Sequence, residues 1–251
     1  MQNPYLIYFF NSIMADNAIV LCSGGFDSVV TAHYVRPKVK DLIILFIDYD
    51  QRVLKEEEFC ARKCAEDLKA EFVKIDMKWL NKISTSLIND DKDVPVTKDV
   101  DLGKIEKEKD EILLWWIPCR NSLFLNCALA HAESKYLSEK KRYDVYIGLK
   151  NEGKIHMKDT TQEFVDAFNK LCEEATHDGG YKVLAPFIKK DKDEITKIGD
   201  ELKVDHRFTY SCYKGEGIKE IPVHCGYCNN CVIRKKAFYW SGIKDPSIYL
   251  K

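Results

Sequence analysis

Ala18-Ile19-Val20-Leu21-Cys22 runs straight into Ser23-Gly24-Gly25-Phe26-Asp27-Ser28. A short apolar run stopping at two glycines reads as a buried strand ending in a tight turn. The hydroxyl and acidic residues that follow open a helix over Asp27 to Val35. Glycine lets the backbone turn sharply and approach a ligand closely. The amides of such a turn point inward, and the helix N-terminus adds partial positive charge. Ser23 and Ser28 contribute hydroxyls, so Ser23 to Ser28 is a candidate cradle for a pyrophosphate group. The Gly-Lys-Ser/Thr ending of a Walker A loop is missing. A plain N-cap is the simpler reading of a serine-glycine turn.

Outward from this turn the same rhythm continues. Leu42 to Ile47 is an unbroken apolar run, as in a parallel strand covered on both faces. Lys55 to Lys69 reads as a helix and Glu71 to Ile75 as a third strand. Alternating strands and helices predict an α/β fold, a doubly wound parallel sheet. After Arg120 the residues Leu123, Phe124, Cys127, Ala128 and His131 recur at helical spacing. Tyr143 to Gly148 reads as a strand and Thr161 to Glu174 as a helix with Phe164, Phe168 and Leu171 on one face. Val183 to Ile188 reads as extended and Asp191 to Leu202 as a helix. Asn89 to Glu111 is dominated by Asp, Lys and Glu and reads as a solvated insertion or a lid. Pro4 to Phe10 is either an extra strand or an upstream extension, since Met14-Ala15-Asp16-Asn17 would be a natural start.

The 251 residues carry a net charge of -1, which excludes a globally basic nucleic-acid surface. No run is long enough to span a membrane and no secretory signal is visible. A cytoplasmic setting is expected, where clustered cysteines hold metal more often than they form disulfides. Of ten cysteines, Cys212, Cys225, Cys228 and Cys231 form C-x12-C-x2-C-x2-C. Close C-x2-C pairs bring sulfurs to one ion, and four thiolates complete a tetrahedral Zn²⁺ shell with no open position, which makes that zinc structural. Cys60, Cys64, Cys127 and Cys172 read as core residues.

The hexamer SGGxDS after a strand resembles the signature of PP-loop ATP pyrophosphatases, which split ATP into AMP and pyrophosphate. Its surroundings resemble the QueC family, the 7-cyano-7-deazaguanine synthases. The resemblance is carried by Asp48-Tyr49-Asp50-Gln51-Arg52, Pro118-Cys119-Arg120-Asn121, Lys192 before a helix, Ser211-Cys212-Tyr213, and Cys225 to Cys231 followed by Arg234, Ala237-Phe238 and Asp245-Pro246. It covers residues 18 to 250 and implies an adenine-nucleotide α-hydrolase-like, Rossmann-like domain over 15–205 with a zinc-binding segment over 206–251. It also implies ATP and Mg²⁺ as cofactors and a homodimer. Ser23, Gly24, Gly25, Phe26, Asp27 and Ser28 would hold the nucleotide, with Asp27 holding Mg²⁺ or orienting phosphates. Asp27, Arg120 and Lys192 would be catalytic, and Arg52, Arg120, Asn121 and Asp159 would bind substrate. QueC-type enzymes convert a deazapurine carboxylate into a nitrile with ATP and ammonia.

Two departures matter. The family's substrate segment reads Asp-x-Ser-Gly-Tyr-Pro-Asp-Cys-Arg-x-Glu-Phe. Here, within residues 151–164, Asp159, Glu163 and Phe164 keep register while the Tyr-Pro pair, the Cys and the Arg do not. Asp50 stands where the family prefers glycine. These changes open a second reading, an amide ligase that joins the deazaguanine to a protein or small-molecule amine in anti-phage defence. A PP-loop tRNA thiolase is a third reading, and a non-enzymatic zinc module is a fourth.

Overall fold

The computed structural model describes residues 15–89, 94–95, 114–151 and 157–250. The Pro4 to Phe10 stretch, read as an extra strand or an upstream extension, lies outside the described residues, as does most of the charged insertion.

Five parallel strands form the central sheet: β1 (Asn17–Leu21), β2 (Leu42–Asp48), β3 (Glu71–Asp76), β4 (Tyr143–Ile147) and β5 (Val183–Leu184). Their spatial order is β3-β2-β1-β4-β5. The chain winds one way from β1 to β3, then returns to β1's other edge and winds outward through β5. This is the expected doubly wound sheet, and it opens a crevice at the carboxyl ends of β1 and β4, where the winding reverses. The three strands β1, β2 and β4 are buried throughout, which is why they read as continuous apolar runs.

Side chains alternate along β1. Ala18 and Val20 face a layer made by α1 (Phe26–Val35), α2 (Leu54–Leu68) and α5 (Lys192–Glu201). Ile19 and Leu21 face α3 (Arg120–Glu139) and α4 (Gln162–Ala175). Each layer covers one sheet face, so the period-2 pattern of the strand sorts the helices into two cores. On α4, Phe168 is buried and Phe164 packs against the same core, as their spacing predicts, together with Val165 and Cys172. Leu171, on the same predicted stripe, is exposed, and periodicity alone does not fix where such a stripe ends. The extended stretch at Val183 is also shorter than expected, with only Val183–Leu184 paired to β4.

The C-terminal segment folds back on the first layer. Helix α6 (Asn229–Ser241) places Phe238 in the same core as Val20 and Phe26. A two-strand pair, β6 (Val223–His224) with β7 (Ile248–Tyr249), flanks it. A third cluster joins Cys212, Cys225, Cys228 and Cys231 to Val53 and Cys60. Among the described residues, no helix is long and apolar enough to cross a membrane.

Candidate nucleotide cleft and metal centre

The turn after β1 is held by contacts that admit only glycine. Gly24 has φ 75, and a Cβ there would lie 2.2 Å from the Glu57 carbonyl and 2.9 Å from the Ala61 amide, both backbone of α2. Nothing there can move aside cheaply, so α2 packs against bare backbone. Gly148, just past β4, would put a Cβ 2.9 Å from the backbone of Ser28. The two glycines let α2 and β4 close on the loop from both sides. Within the loop, Ser28 Oγ donates to the Gly25 carbonyl at 2.9 Å, and the Gly25 amide donates to Ser23 Oγ at 3.2 Å.

A cleft of about 260 Å³ opens where the loop meets the carboxyl ends of β1, β2 and β4. Ser23, Asp27 and Ser28 line it from the loop; Tyr49 lines it from beyond β2 and Glu57 from α2. Arg120, Asn121 and Phe124 line it from α3. Cys119, at φ 55, makes the left-handed step that starts α3 and aims Arg120 and Asn121 at the cleft. Asn121 Nδ2 donates to the Asp159 carbonyl at 3.1 Å, so two motifs 38 residues apart meet there.

Lys192 begins α5, whose first turn is closed by the Asp191 amide donating to Glu194 Oε2 at 2.9 Å. Its Nζ donates to Asp27 Oδ2 at 3.0 Å, with both side chains about four-fifths buried at 18% and 20% exposure. The other oxygen, Asp27 Oδ1, is buried and has no hydrogen-bond partner among the described residues. A bare carboxylate oxygen beside the Ser23 to Ser28 turn fits a cation ligand.

Three further candidates stand elsewhere. The Phe26 side chain points away from the cleft into the core, stacked on His206 at 4.7 Å and edge-on to Phe238 at 5.7 Å. At that position the loop offers backbone, while the ring anchors it. Arg52 is not among the residues lining the cleft; its amide donates to the Ile88 carbonyl at 2.8 Å. The carboxyl of Asp159 faces a neighbouring cavity with Trp116, Cys119 and Phe164, and burial raises its pKa.

Glu57, Tyr49 and Lys150 line the cleft as well, although sequence reasoning does not single them out as site residues. Tyr49 at least belongs to the motif Asp48-Tyr49-Asp50-Gln51-Arg52. Glu57 gives no such signal, since it sits in the charged run Lys55-Glu56-Glu57-Glu58. Burial pushes its carboxyl up to about 7, against a hydrogen bond from Gln51 Nε2 at 2.9 Å and the field of Arg120.

The four cysteines converge as their spacing predicts. All are buried, and their sulfurs lie within 4.8 Å of one another. Cys228 and Cys231 are 3.4 Å apart and Cys225 and Cys231 3.8 Å. A tetrahedral Zn²⁺ bound at about 2.3 Å spaces its sulfurs by about 3.8 Å, so the set fits. Crowded together, the four thiols share their protons unevenly: hydrogen bonds within the set pull Cys225 and Cys212 below the ordinary thiol pKa and push Cys228 and Cys231 above it. This centre is tied to the loop. The Tyr210 amide donates to the Gly24 carbonyl at 2.9 Å, two residues before Cys212.

The family model for the queuosine biosynthesis protein QueC matches residues 17–242. The chain belongs to the QueC family. The 7-cyano-7-deazaguanine synthase of Methanococcus maripaludis is 34% identical over 238 residues, covering 93% of this chain and 98% of that protein. The same synthase of Methanocaldococcus jannaschii is 33% identical, covering 93% and 99%. Among solved structures, the NMN synthetase of Francisella tularensis aligns with a TM-score of 0.44 at 10% identity, over 92% of this chain and 79% of that one. Membership of this family makes the chain an enzyme of the ATP-using PP-loop class. Asp50 stands at φ 59, the left-handed region in which glycine is the ordinary occupant, and nothing in the backbone explains the aspartate there. Of the divergent segment, residues 152–156 lie outside the described residues.

Proposed function

We propose that this chain is an ATP-dependent ligase acting on 7-carboxy-7-deazaguanine. It activates the carboxylate as an acyl-adenylate with release of pyrophosphate, then forms the amide and finally the nitrile with ammonia. A carboxylate is a poor electrophile, and adenylation replaces its oxygen by a leaving group. A second adenylation removes the amide oxygen. The observation that supports this reading best is the Asp27–Lys192 pair at 3.0 Å beside a cradle that only glycine fits, with Asp27 and Arg120 both lining the cleft.

The roles follow from position. The amides of the Ser23 to Ser28 turn bind the phosphate tail. Lys192 and Arg120 offset negative charge as pyrophosphate leaves. Asp27 would hold Mg²⁺, which supplies further neutralisation of the phosphates. Asn121 fixes the wall against which the base lies, and Asp159 and Arg52 are the remaining candidates for holding it. Zn²⁺ in the four-cysteine site is structural, since four thiolates leave no place for substrate.

Different acceptors are separable. The thiol lining the cleft is Cys22, at 1% exposure, which argues against a persulfide-carrying thiolase. The altered 151–164 segment favours the amide ligase as the second reading, with a protein or small amine as acceptor. Mass spectrometry after incubation with ATP, the carboxy-deazaguanine and ammonium distinguishes them. The expected product is the nitrile, with AMP formed in step. Accumulation of amide alone would move the assignment to the amide ligase, and no adenylation of any carboxylate would overturn both.

A further inference from the structure

A cleft meant for a nucleotide polyanion and a carboxylate substrate has two carboxyl groups in its own wall, Asp27 and Glu57. Asp27 is neutralised by Lys192. Glu57 needs another account, because an unpaired negative charge there would repel both ligands.

Its placement is firm. The Gly24 contact holds the Glu57 backbone against the phosphate turn. Gln51 Nε2 donates to Glu57 Oε2 at 2.9 Å. Gln51 is itself buried and fixed, its Oε1 accepting from the Tyr49 amide at 3.0 Å and its Nε2 also reaching the Ile47 carbonyl at 3.3 Å. The carboxyl therefore cannot swing away from the cleft without breaking a buried amide network. Around it stand Arg120 from α3, Tyr49 from the end of β2, Cys22 from the end of β1, and Glu56 and Cys60 on its own helix. Arg120 favours its ionised form, while burial and Glu56 oppose it.

The proposed ligase reaction consumes a nitrogen nucleophile. At neutral pH, ammonia arrives as ammonium, which has no lone pair to give. It is also the one reactant that a carboxylate attracts. Resting on that functional reading, we propose that Glu57 binds ammonium in the cleft and accepts a proton from it, generating ammonia beside the activated acyl carbon. The proton moves from nitrogen to the Glu57 carboxylate. The freed lone pair forms the C–N bond, and the acyl C–O bond breaks with its electron pair leaving on AMP. Nitrogen then sheds a second proton to water, and Glu57 returns its own to solvent before the next cycle. A group balanced between its acid and base forms near neutrality suits both halves of that exchange.

The test compares wild type with Glu57→Gln, which keeps shape and hydrogen bonding to Gln51 but cannot take a proton. Near pH 7 the variant's KM for ammonium rises at least about tenfold, while its KM for ATP moves by less than about twofold. The loss is recovered near about pH 9, where free ammonia is supplied by solution. Wild type shows an acid limb near pH 7 in kcat/KM for ammonium, and the limb disappears with hydroxylamine, a neutral nucleophile at that pH. The hydroxylamine comparison needs no variant and stands even if Glu57→Gln folds poorly. An unchanged ammonium KM in the variant, or a limb that persists with hydroxylamine, overturns the proposal while leaving the ligase intact. Wild-type protein with no ammonium-dependent AMP release overturns the ligase reading itself, and this inference with it.

Discussion

At the scale of single residues, Gly24 carries the heaviest constraint. A methyl group there meets two backbone atoms of α2, at 2.2 and 2.9 Å, and the φ of 75 is strained for any L side chain. Gly24→Ala is expected to lose about 1–3 kcal/mol of stability and about 100-fold in kcat/KM for ATP, because the cradle must shift. Denaturant titration and pyrophosphate release measure the two. His206 makes a second prediction. It stacks on Phe26, both ring nitrogens lack hydrogen-bond partners among the described residues, and burial with the nearby Arg234 charge pushes its pKa down from 6.5 to about 4. Above pH 6.5 the ring is neutral in both folded and unfolded chains and costs nothing. Between pH 6.5 and about 4 the unfolded chain takes the proton and the folded one does not, so stability falls as pH falls. The loss reaches about 3 kcal/mol by the lower end. His206→Phe removes the titration and keeps the stack. The Tm of wild type relative to that of the variant should fall steadily from pH 7 to pH 4, and a constant difference would refute the assignment.

At the scale of elements, α6 is joined to the phosphate loop through Arg234, which is fully buried. Its guanidinium donates to the His206 carbonyl at 2.8 Å, to Thr209 Oγ1 at 2.8 Å and to Ser247 Oγ at 2.8 Å. It also lies 5.3 Å over the Phe26 ring. One planar fork thus fastens α6, the 206–211 segment and the anchor ring of the loop. Arg234→Met should cost about 3–5 kcal/mol, since several buried carbonyls and hydroxyls lose their donor, and should raise the KM for ATP. Arg234→Lys should restore little, a point charge being unable to serve three directions. Urea midpoints and ATP titration check both. The sequence marks Arg234 only as part of the motif that follows the last cysteine, and nothing there shows the junction it makes. The strands are legible because burial on both faces writes them as apolar runs. The metal centre is legible because two C-x2-C turns have few uses besides metal binding. Glu57 is not legible, because a run of three glutamates on an amphipathic helix reads as a solvated face. Helical rotation instead buries Glu56, puts Glu57 in the cleft and leaves Glu58 to Arg62 and Lys74. Phe26 is legible as part of the loop but not as its anchor, since side-chain direction at a strand-to-helix turn is set by tertiary packing.

At the scale of the whole molecule, the four-cysteine centre and the nucleotide cleft are separate in chemistry and joined in mechanics. The centre shares a core cluster with Val53 and Cys60, on either side of the Glu57 turn of α2. Its first cysteine follows Tyr210, whose amide bonds Gly24, and whose backbone bridges Gly25. Four buried thiolates without a cation repel one another, so metal loss should loosen the 206–228 stretch first. The sheet and its two apolar cores do not depend on that stretch, and Phe238 still holds α6 to the first core. Removing metal with a strong chelator is therefore expected to leave far-UV circular dichroism largely intact. It should open a protease site within 206–228 and lower kcat/KM for ATP by about tenfold or more, although none of the four cysteines lines the cleft. One equivalent of Zn²⁺ should restore both. Cys228→Ser should reproduce the chelated state and fail to recover with Zn²⁺. Elemental analysis showing one metal ion per chain, with protease resistance and ATP turnover falling together as it is withdrawn, is the expected pattern. Full ATP turnover in metal-free protein would mean that the Tyr210–Gly24 bond holds the cradle without help from the centre behind it.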